Sequence, residues 1–252
     1  MTRSGQPDGI DDVVDAMRSR LAALPPGASA QRVFLDTYCR TTIAVGKAIR
    51  GGLFEDPSWV ERWDVAFADL YLAALDGDLA GTAVARPWRV AFDAPSALPP
   101  LRHVLLGINA HINYDLPQAL LAVITDSEFG DPGVIERRRR DNERIDGVLS
   151  SRVAAEDGEL AARSARTLLD RALTPLNRLS SRRFLREARH KVWHNTIELE
   201  RARVAGEAAY RERLAELEVL SAAKVADLLA PGQVLLRLAV AGFGVLLPPP
   251  RC

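Results

Sequence analysis

Two stretches of this sequence place histidine and carboxylate side chains at helical spacing. The first reads Gly107-Ile-Asn-Ala-His-Ile-Asn-Tyr-Asp-Leu-Pro117 and interrupts an otherwise apolar helical pattern. On a helix with 3.6 residues per turn, His103, His111 and Asp115 lie along one slowly drifting stripe. The apolar neighbours predict burial, and a buried polar group without a partner costs about 1–3 kcal/mol. The pattern therefore predicts a polar site inside a helical protein.

The pair formed by His111 and Asp115 suits proton transfer. A carboxylate one turn away from an imidazole holds one ring tautomer and raises the basicity of the ring. Asn109 lies off to the side of this stripe and is expected to orient a substrate by hydrogen bonding. Pro117 has no amide hydrogen, so we expect the helix to bend near Asp115. A helix that curves around a core, with Asp115 bonded to neighbouring helix ends, explains the same residues, and both interpretations stay open.

The second stretch, His190-Lys-Val-Trp-His-Asn-Thr-Ile-Glu198, places two imidazoles and a carboxylate on one helical face. Side chains one turn apart converge on a single ion, and zinc or iron accepts histidine and carboxylate ligands together. If the two helices meet, we expect one or two divalent ions between them. A solvated, charged helix with histidines at its edge is the alternative. The predicted metal ligands are His103, His111, Asp115, His194 and Glu198.

Composition limits the class of protein. The chain has 252 residues, of which 48% are hydrophobic and 26% charged, so it is long enough to bury a sizeable core. Thirty-three basic residues balance thirty-three acidic ones, which argues against nucleic acid as a partner. Two cysteines fit no disulfide framework, and the first residues lack the apolar core of a signal peptide. We therefore expect a cytoplasmic protein without a transmembrane segment.

Helical periodicity runs along most of the chain. It predicts an all-α, single-domain multi-helix bundle over residues 1–252, with residues 1–8 disordered. A loop rich in glycine and proline is expected at 77–100, after the third helix, and a long helical pattern at 181–229 is expected to break near Gly206. The basic run 137–140 alternates with acids and is interpreted as a solvated face. Residues 231–252 form an apolar tail that is expected to pack on the bundle.

The stretch from His103 to Leu116 resembles the hallmark of a bacterial family classed only as a domain of unknown function. That hallmark reads Gln-His, apolar residues and then Gly-x-Asn-Ala-His-Ile-x-x-Asp-Leu, and Arg102 replaces the glutamine here. The resemblance continues at Tyr71 and Trp193, and it implies a helical protein without an established activity. A looser similarity connects the pairs His111/Asp115 and His194/Glu198 to the helical fold of zinc-dependent phospholipase C and single-strand nucleases. That similarity implies a site with one or two metal ions.

Three functions are compatible with these patterns. The first is a metal-dependent enzyme in which bound water attacks an ester or phosphoester substrate. The second is a metal-free biosynthetic enzyme or binding protein for an apolar small molecule, with His111 and Asp115 as an acid–base pair. The third is a non-catalytic interaction protein whose polar patch fixes the register of its helices. For this third function, the apolar tail is expected to provide a surface for a partner or for a homo-oligomer.

Overall fold

A computed structural model describes residues 9–163, 187, 189–230, 242 and 244–250. Helices make up this part of the chain and no strand occurs within it, which confirms the all-α prediction. In chain order the helices are α1 (Ile10–Ala23), α2 (Ser29–Arg50), α3 (Pro57–Leu79), α4 (Arg86–Phe92), α5 (Pro100–Ala110), α6 (Leu116–Val123), α7 (Asp126–Phe129), α8 (Pro132–Arg163), α9 (189–205) and α10 (Glu207–Leu229), with a π-helical segment, His111–Asp115, between α5 and α6.

Local sequence explains several helix ends. The Asp56 side chain accepts the backbone N–H of Trp59, and Pro57 occupies the first turn of α3, as expected for a capped helix start. Gly206 has φ 133°, a conformation that side chains with a Cβ rarely adopt, and it separates α9 from α10. The predicted break in the long helical pattern is therefore present. Residues 164–186, where that pattern begins, lie outside the described part of the chain.

The connection after α3 contains more helix than its composition indicates. α3 continues to Leu79, and a short helix, α4, follows within the predicted loop. Trp88 and Phe92 of α4 are buried, and their rings stack with centroids 5.2 Å apart. Packing of these two aromatic side chains against the core outweighs the unfavourable local propensity.

The predicted bend at Pro117 takes the form of a π-helical segment. The N–H of Leu116 donates to the carbonyl of His111, five residues earlier, instead of to a carbonyl four residues earlier. A single π turn accommodates the missing proline donor without ending the helix, and such turns are frequent at functional sites. The same five residues contain His111, Asn113 and Asp115, so the local distortion sets the directions of all three side chains.

Within the described residues, three buried apolar clusters hold the bundle together. The largest joins α1 to α5 with the end of α10, and it includes Tyr71, Trp88 and Leu106. The second surrounds Trp59 and Trp63 of α3. The third forms where residues 244–250 meet α6, α9 and α10, and it contains four buried leucines. Those leucines are Leu121, Leu199, Leu217 and Leu247.

One arginine of the predicted solvated face is buried. Arg138 is 5% exposed, donates to Asp56 at 2.5 Å and to Glu128 at 2.6 Å, and lies over the Trp59 ring at 4.9 Å. Its neighbour Arg137 is exposed, as predicted. Arg138 thus ties α8 to the start of α3 and to α7, which corrects the interpretation of 137–140 as uniformly solvated.

Within the described residues, no helix is long and apolar enough to span a bilayer.

Candidate functional site

His111 and Asp115 form a buried pair at the two ends of the π segment. The imidazole Nδ1 lies 2.8 Å from Oδ2 of Asp115, and the two residues are only 3% and 2% exposed. The indole N–H of Trp88 in α4 donates to the same Oδ2 at 2.8 Å. Because the indole nitrogen can only donate, Oδ2 acts as an acceptor, which favours the tautomer of His111 that carries its proton on Nδ1.

Aromatic rings enclose the imidazole of His111. Phe67 of α3 stacks on it with ring centroids 3.5 Å apart and an interplanar angle of 5°. Tyr38 approaches edge-on at 4.7 Å, and Trp88 lies at 5.6 Å. Inside this enclosure Nε2 of His111 has no hydrogen-bond partner among the described residues. The ring is therefore oriented from two sides and is available for one further polar contact.

Burial brings the pKa values of His111 and Asp115 closer together. It lowers the pKa of His111, whereas the hydrogen bond and the charge of Asp115 act in the opposite direction. Burial raises the pKa of Asp115, and the bonds from His111 and Trp88 counteract this effect. A proton can thus move within the pair at a smaller free-energy cost than between the same groups in water.

Asp115 and Trp88 also line an open pocket of about 260 Å³ between α3, α4 and the π segment. His111 does not line it, whereas Asp115, which bonds to the imidazole, does. Aliphatic side chains of α3 and of the 83–85 connection form most of the wall, and Tyr114 and Gln118 complete it. The lining consists of Leu70, Ala73, Ala74, Ala83, Val84, Ala85, Trp88, Tyr114, Asp115 and Gln118.

Further polar atoms without partners lie in the same core. The hydroxyls of Tyr38 and Tyr71 and Oδ2 of Asp64 are buried, and the described residues supply none of them with a hydrogen bond. Burial, with a contribution from Glu61, raises the pKa of Asp64 to about 7. Burial and the nearby Asp64 raise the pKa of Tyr38. Asp64 lies on the buried stripe of α3 with Ala68 and Tyr71, as its spacing from these residues in the sequence also indicates.

The two asparagines of the motif lie on the other side of the helix. Asn109 donates to the carbonyl of Leu105 at 2.9 Å and accepts from Asn113 at 3.3 Å. Oδ1 of Asn113 accepts the backbone N–H of Val245 at 3.2 Å. The predicted substrate-orienting role of Asn109 therefore has no support in its contacts. Asn113, which the sequence does not single out, connects the motif to residues 244–250.

Two of the remaining predicted metal ligands have other partners, and neither ring nitrogen of His103 has a hydrogen-bond partner among the described residues. His194 contacts the carbonyl of Leu247 through Nε2 at 3.1 Å, and Glu198 forms ion pairs with Arg213 at 2.8 Å and Arg201 at 2.6 Å. His103 is buried in α5, and burial lowers its pKa. In the described ranges no group of three or more histidine, cysteine, aspartate or glutamate side chains is placed to hold a metal ion. Of the predicted ligands, His111 and Asp115 are the two that bond to each other in the described part of the chain.

Comparison with known proteins supports one assignment. The chain matches the model of DUF5995, a family of unknown function, over residues 10–231, and it belongs to that family. No curated protein and no solved structure matches the chain. The family match agrees with the resemblance carried by the His103–Leu116 stretch, and it brings no activity with it.

Proposed function

We propose that this protein binds a small, largely apolar molecule in the pocket beside Asp115 and that Asp115 and His111 act on it as an acid–base pair. One observation carries the proposal: His111 and Trp88 both bond to Oδ2 of a buried carboxylate that also lines an open pocket. Pre-oriented acidic groups with displaced pKa values beside a cleft are a typical arrangement of functional sites.

The pocket favours a specific ligand chemistry. Its aliphatic wall suits an apolar body, and its volume lies just below the range of about 300–1,000 Å³ that is common for ligand pockets, which favours a small molecule. Among the lining residues Asp115 is the only acid. Since its Oδ2 already accepts two bonds, Oδ1 is the oxygen available to a ligand. The ligand class is therefore a small molecule with a hydroxyl or amine group directed at that oxygen.

Different roles are proposed for the two partners. Asp115 lines the pocket and His111 does not, so Asp115 is proposed as the group that exchanges a proton with the ligand. His111 is a positioning residue: its Nδ1 fixes the carboxylate and supplies or withdraws positive charge as Asp115 changes protonation. This reverses the order expected from the sequence, in which Asp115 serves the imidazole. Burial raises the pKa of Asp115, and the bonds from His111 and Trp88 to Oδ2 keep the carboxyl oriented.

A fragment-binding experiment tests the proposal. Small apolar alcohols and amines are compared, by ligand-observed NMR on the full chain, with analogues that cannot donate a hydrogen bond: the methyl ethers and the quaternary trimethylammonium forms. We expect binding of the alcohols or amines, loss of the preference in Asp115→Asn, and loss of all binding in Ala74→Leu, which fills the pocket. Ala23→Leu, at an exposed position of α1, is the matched control and retains binding.

Two results contradict the proposal. One is binding of ethers and alcohols with equal affinity, since the carboxylate would then have no role. The other is a stoichiometric metal ion in chelator-free protein together with hydrolysis of an ester or phosphoester substrate. Both the metal ion and the hydrolysis would be lost in His194→Ala but not in Asp115→Asn. That result favours a metal-dependent hydrolase centred on α9.

A further inference from the structure

Residues 244–248 lie along α9 and α10 without regular secondary structure, and side chains bind their backbone. Asn195 uses both ends of its amide: Nδ2 donates to the carbonyl of Val245 at 3.0 Å, and Oδ1 accepts the N–H of Leu247 at 2.9 Å. On the opposite side Asn113 accepts the N–H of Val245. Three further backbone carbonyls are bound: Gly244 by Lys191 at 3.2 Å, Leu247 by His194 at 3.1 Å and Pro248 by Arg213.

Backbone contacts of this kind recognise a peptide in a particular conformation with little dependence on its side chains. The carbonyl of Val245 and the N–H of Leu247 both bond to Asn195, so the side chain of the residue between them must point away from Asn195. Leu246 is 49% exposed, whereas Leu247 is 1% exposed and lies among Leu199 and Leu217. The alternation is typical of a peptide seated in a groove, where main-chain bonds provide affinity and one side-chain pocket provides specificity.

The second histidine–carboxylate constellation belongs to this groove. Glu198 binds the guanidinium of Arg213 at 2.8 Å, and Glu216 binds it at 2.6 Å, so a nearly buried arginine is fixed by two carboxylates. The oriented guanidinium then donates to the carbonyl of Pro248. His194 and Glu198, at i and i+4, thus act on neighbouring positions of the same peptide segment, which gives their spacing a physical reason without a metal ion.

The groove also contacts the pocket. Tyr114 lines the pocket and packs against the leucine cluster that contains Leu247. Its neighbour Asn113 is bonded to Val245. Docking of the segment therefore restrains two consecutive residues of the π segment, one turn or less from Asp115.

We infer that the groove between the π segment, α9 and α10 is a binding site for a peptide with the pattern Gly-Val-Leu-Leu-Pro, with residues 244–248 of this chain as its resident ligand. Occupancy of the groove holds Asn113 and Tyr114 in place at the pocket. This coupling between groove and pocket rests on the proposed function, whereas the peptide site itself does not.

Peptide exchange tests the site on the full chain. The probe is a fluorescein-labelled peptide with the sequence of residues 242–250. In the unmodified protein the resident segment competes at a high effective concentration, on the order of mM. Leu247→Ser weakens the resident segment, so we expect this variant to bind the probe at least tenfold more tightly than the unmodified protein. Leu246→Ser changes the exposed neighbour and is expected to behave like the unmodified protein.

A second variant identifies the groove. Adding Asn195→Ala to Leu247→Ser removes two of the backbone bonds and is expected to weaken probe binding at least tenfold. Equal probe binding by the unmodified protein and Leu247→Ser, or binding that is insensitive to Asn195→Ala, overturns the site. Circular dichroism and thermal melting establish that both variants are folded.

Amide hydrogen exchange tests the same site without any substitution. The N–H groups of Val245 and Leu247 donate to side-chain oxygens, so they are expected to exchange at least tenfold more slowly than the N–H of Leu246. Equal exchange at the three positions overturns the docking. The coupling is measured separately, as affinity for the pocket alcohols: we expect it to fall several-fold in Leu247→Ser and to recover with saturating peptide. Probe binding with unchanged pocket affinity overturns the coupling alone.

Discussion

The imidazole of His111 and the ring of Phe67 lie parallel, with their centroids 3.5 Å apart. Phe67 belongs to α3, so a neighbouring helix fixes the plane of the imidazole while Asp115, on the same helix as His111, fixes its rotation in that plane. Trp88 of α4 then fixes the carboxylate. Three elements thus determine the geometry of one imidazole–carboxylate pair, which is the arrangement that a pre-organised site requires.

The first prediction concerns the protonation of His111. In Asp115→Asn the carboxylate that raises the pKa of the imidazole is removed, while burial, which lowers it, remains. We therefore expect a further fall in the pKa of His111, followed through its imidazole nitrogen shifts in an NMR titration. An unchanged or higher pKa in the variant would show that the carboxylate of Asp115 does not raise the pKa of His111. Trp88→Phe, which keeps the carboxylate and removes one donor, is expected to change it less.

The second prediction concerns Gly107 in α5. A Cβ at this position would overlap with the ring of Phe34, which also lies against His111, with ring centroids 6.2 Å apart. We expect Gly107→Ala to lower the free energy of unfolding by about 1–3 kcal/mol despite the better helix propensity of alanine. Gly147→Ala in α8, where a Cβ meets no atom within 4 Å, is the control and is expected to stabilise by up to about 1 kcal/mol. Urea unfolding measures both changes, and similar effects at the two positions would contradict the overlap.

The third prediction is a pH dependence of stability caused by Asp64. Its carboxyl titrates near pH 3.8 in the unfolded chain and at about 7 in the folded protein. Between these values only the folded state holds the proton, so the contribution of Asp64 to stability is intact below the lower value and is lost as the pH rises through the upper one. We expect Asp64→Asn to be more stable than the unmodified protein above pH 7, by an amount on the order of a few kcal/mol.

Thermal unfolding at a series of pH values checks this expectation. The advantage of Asp64→Asn should shrink as the pH approaches the value of the unfolded carboxyl. Asp93→Asn, at an exposed position, serves as the matched control. An advantage that is constant with pH would mean that the amide improves packing and that ionisation of Asp64 has no part in it.

The fourth prediction concerns the buried arginine of α8. Arg138→Lys keeps the charge, but an ammonium group cannot bind Asp56 and Glu128 in the same fork geometry or stack on Trp59 in the same way. We expect a loss of about 1.5–3 kcal/mol in the free energy of unfolding. Arg137→Lys, one position away on the exposed face, should change it by less than about 0.5 kcal/mol. Equal losses of stability in the two variants would mean that the effect comes from helix propensity and not from the ion pairs of Arg138.

Local spacing was sufficient to predict the features that depend on one or two helical turns. The contact between His111 and Asp115 follows from the four-residue separation, and Pro117 predicts a distortion near them. The break at Gly206 is equally local. In each case the atoms that interact are neighbours along the chain, so their distance hardly depends on how the helices pack.

Spacing did not reveal which groups meet across the bundle. His194 and Glu198 have the separation of a metal-binding pair, yet their partners, Leu247 and Arg213, come from distant positions that spacing cannot identify. Nothing in the sequence around Asn113 distinguishes it, and its role is evident only from the hydrogen bond that it accepts from the N–H of Val245. The sequence by itself determined a helical bundle with one buried imidazole–carboxylate pair, because helix geometry alone sets that contact. Only the tertiary structure decided that aromatic rings enclose the imidazole, that the carboxylate faces the pocket and that the second histidine–carboxylate pair holds a peptide segment, because these contacts depend on how separate helices pack.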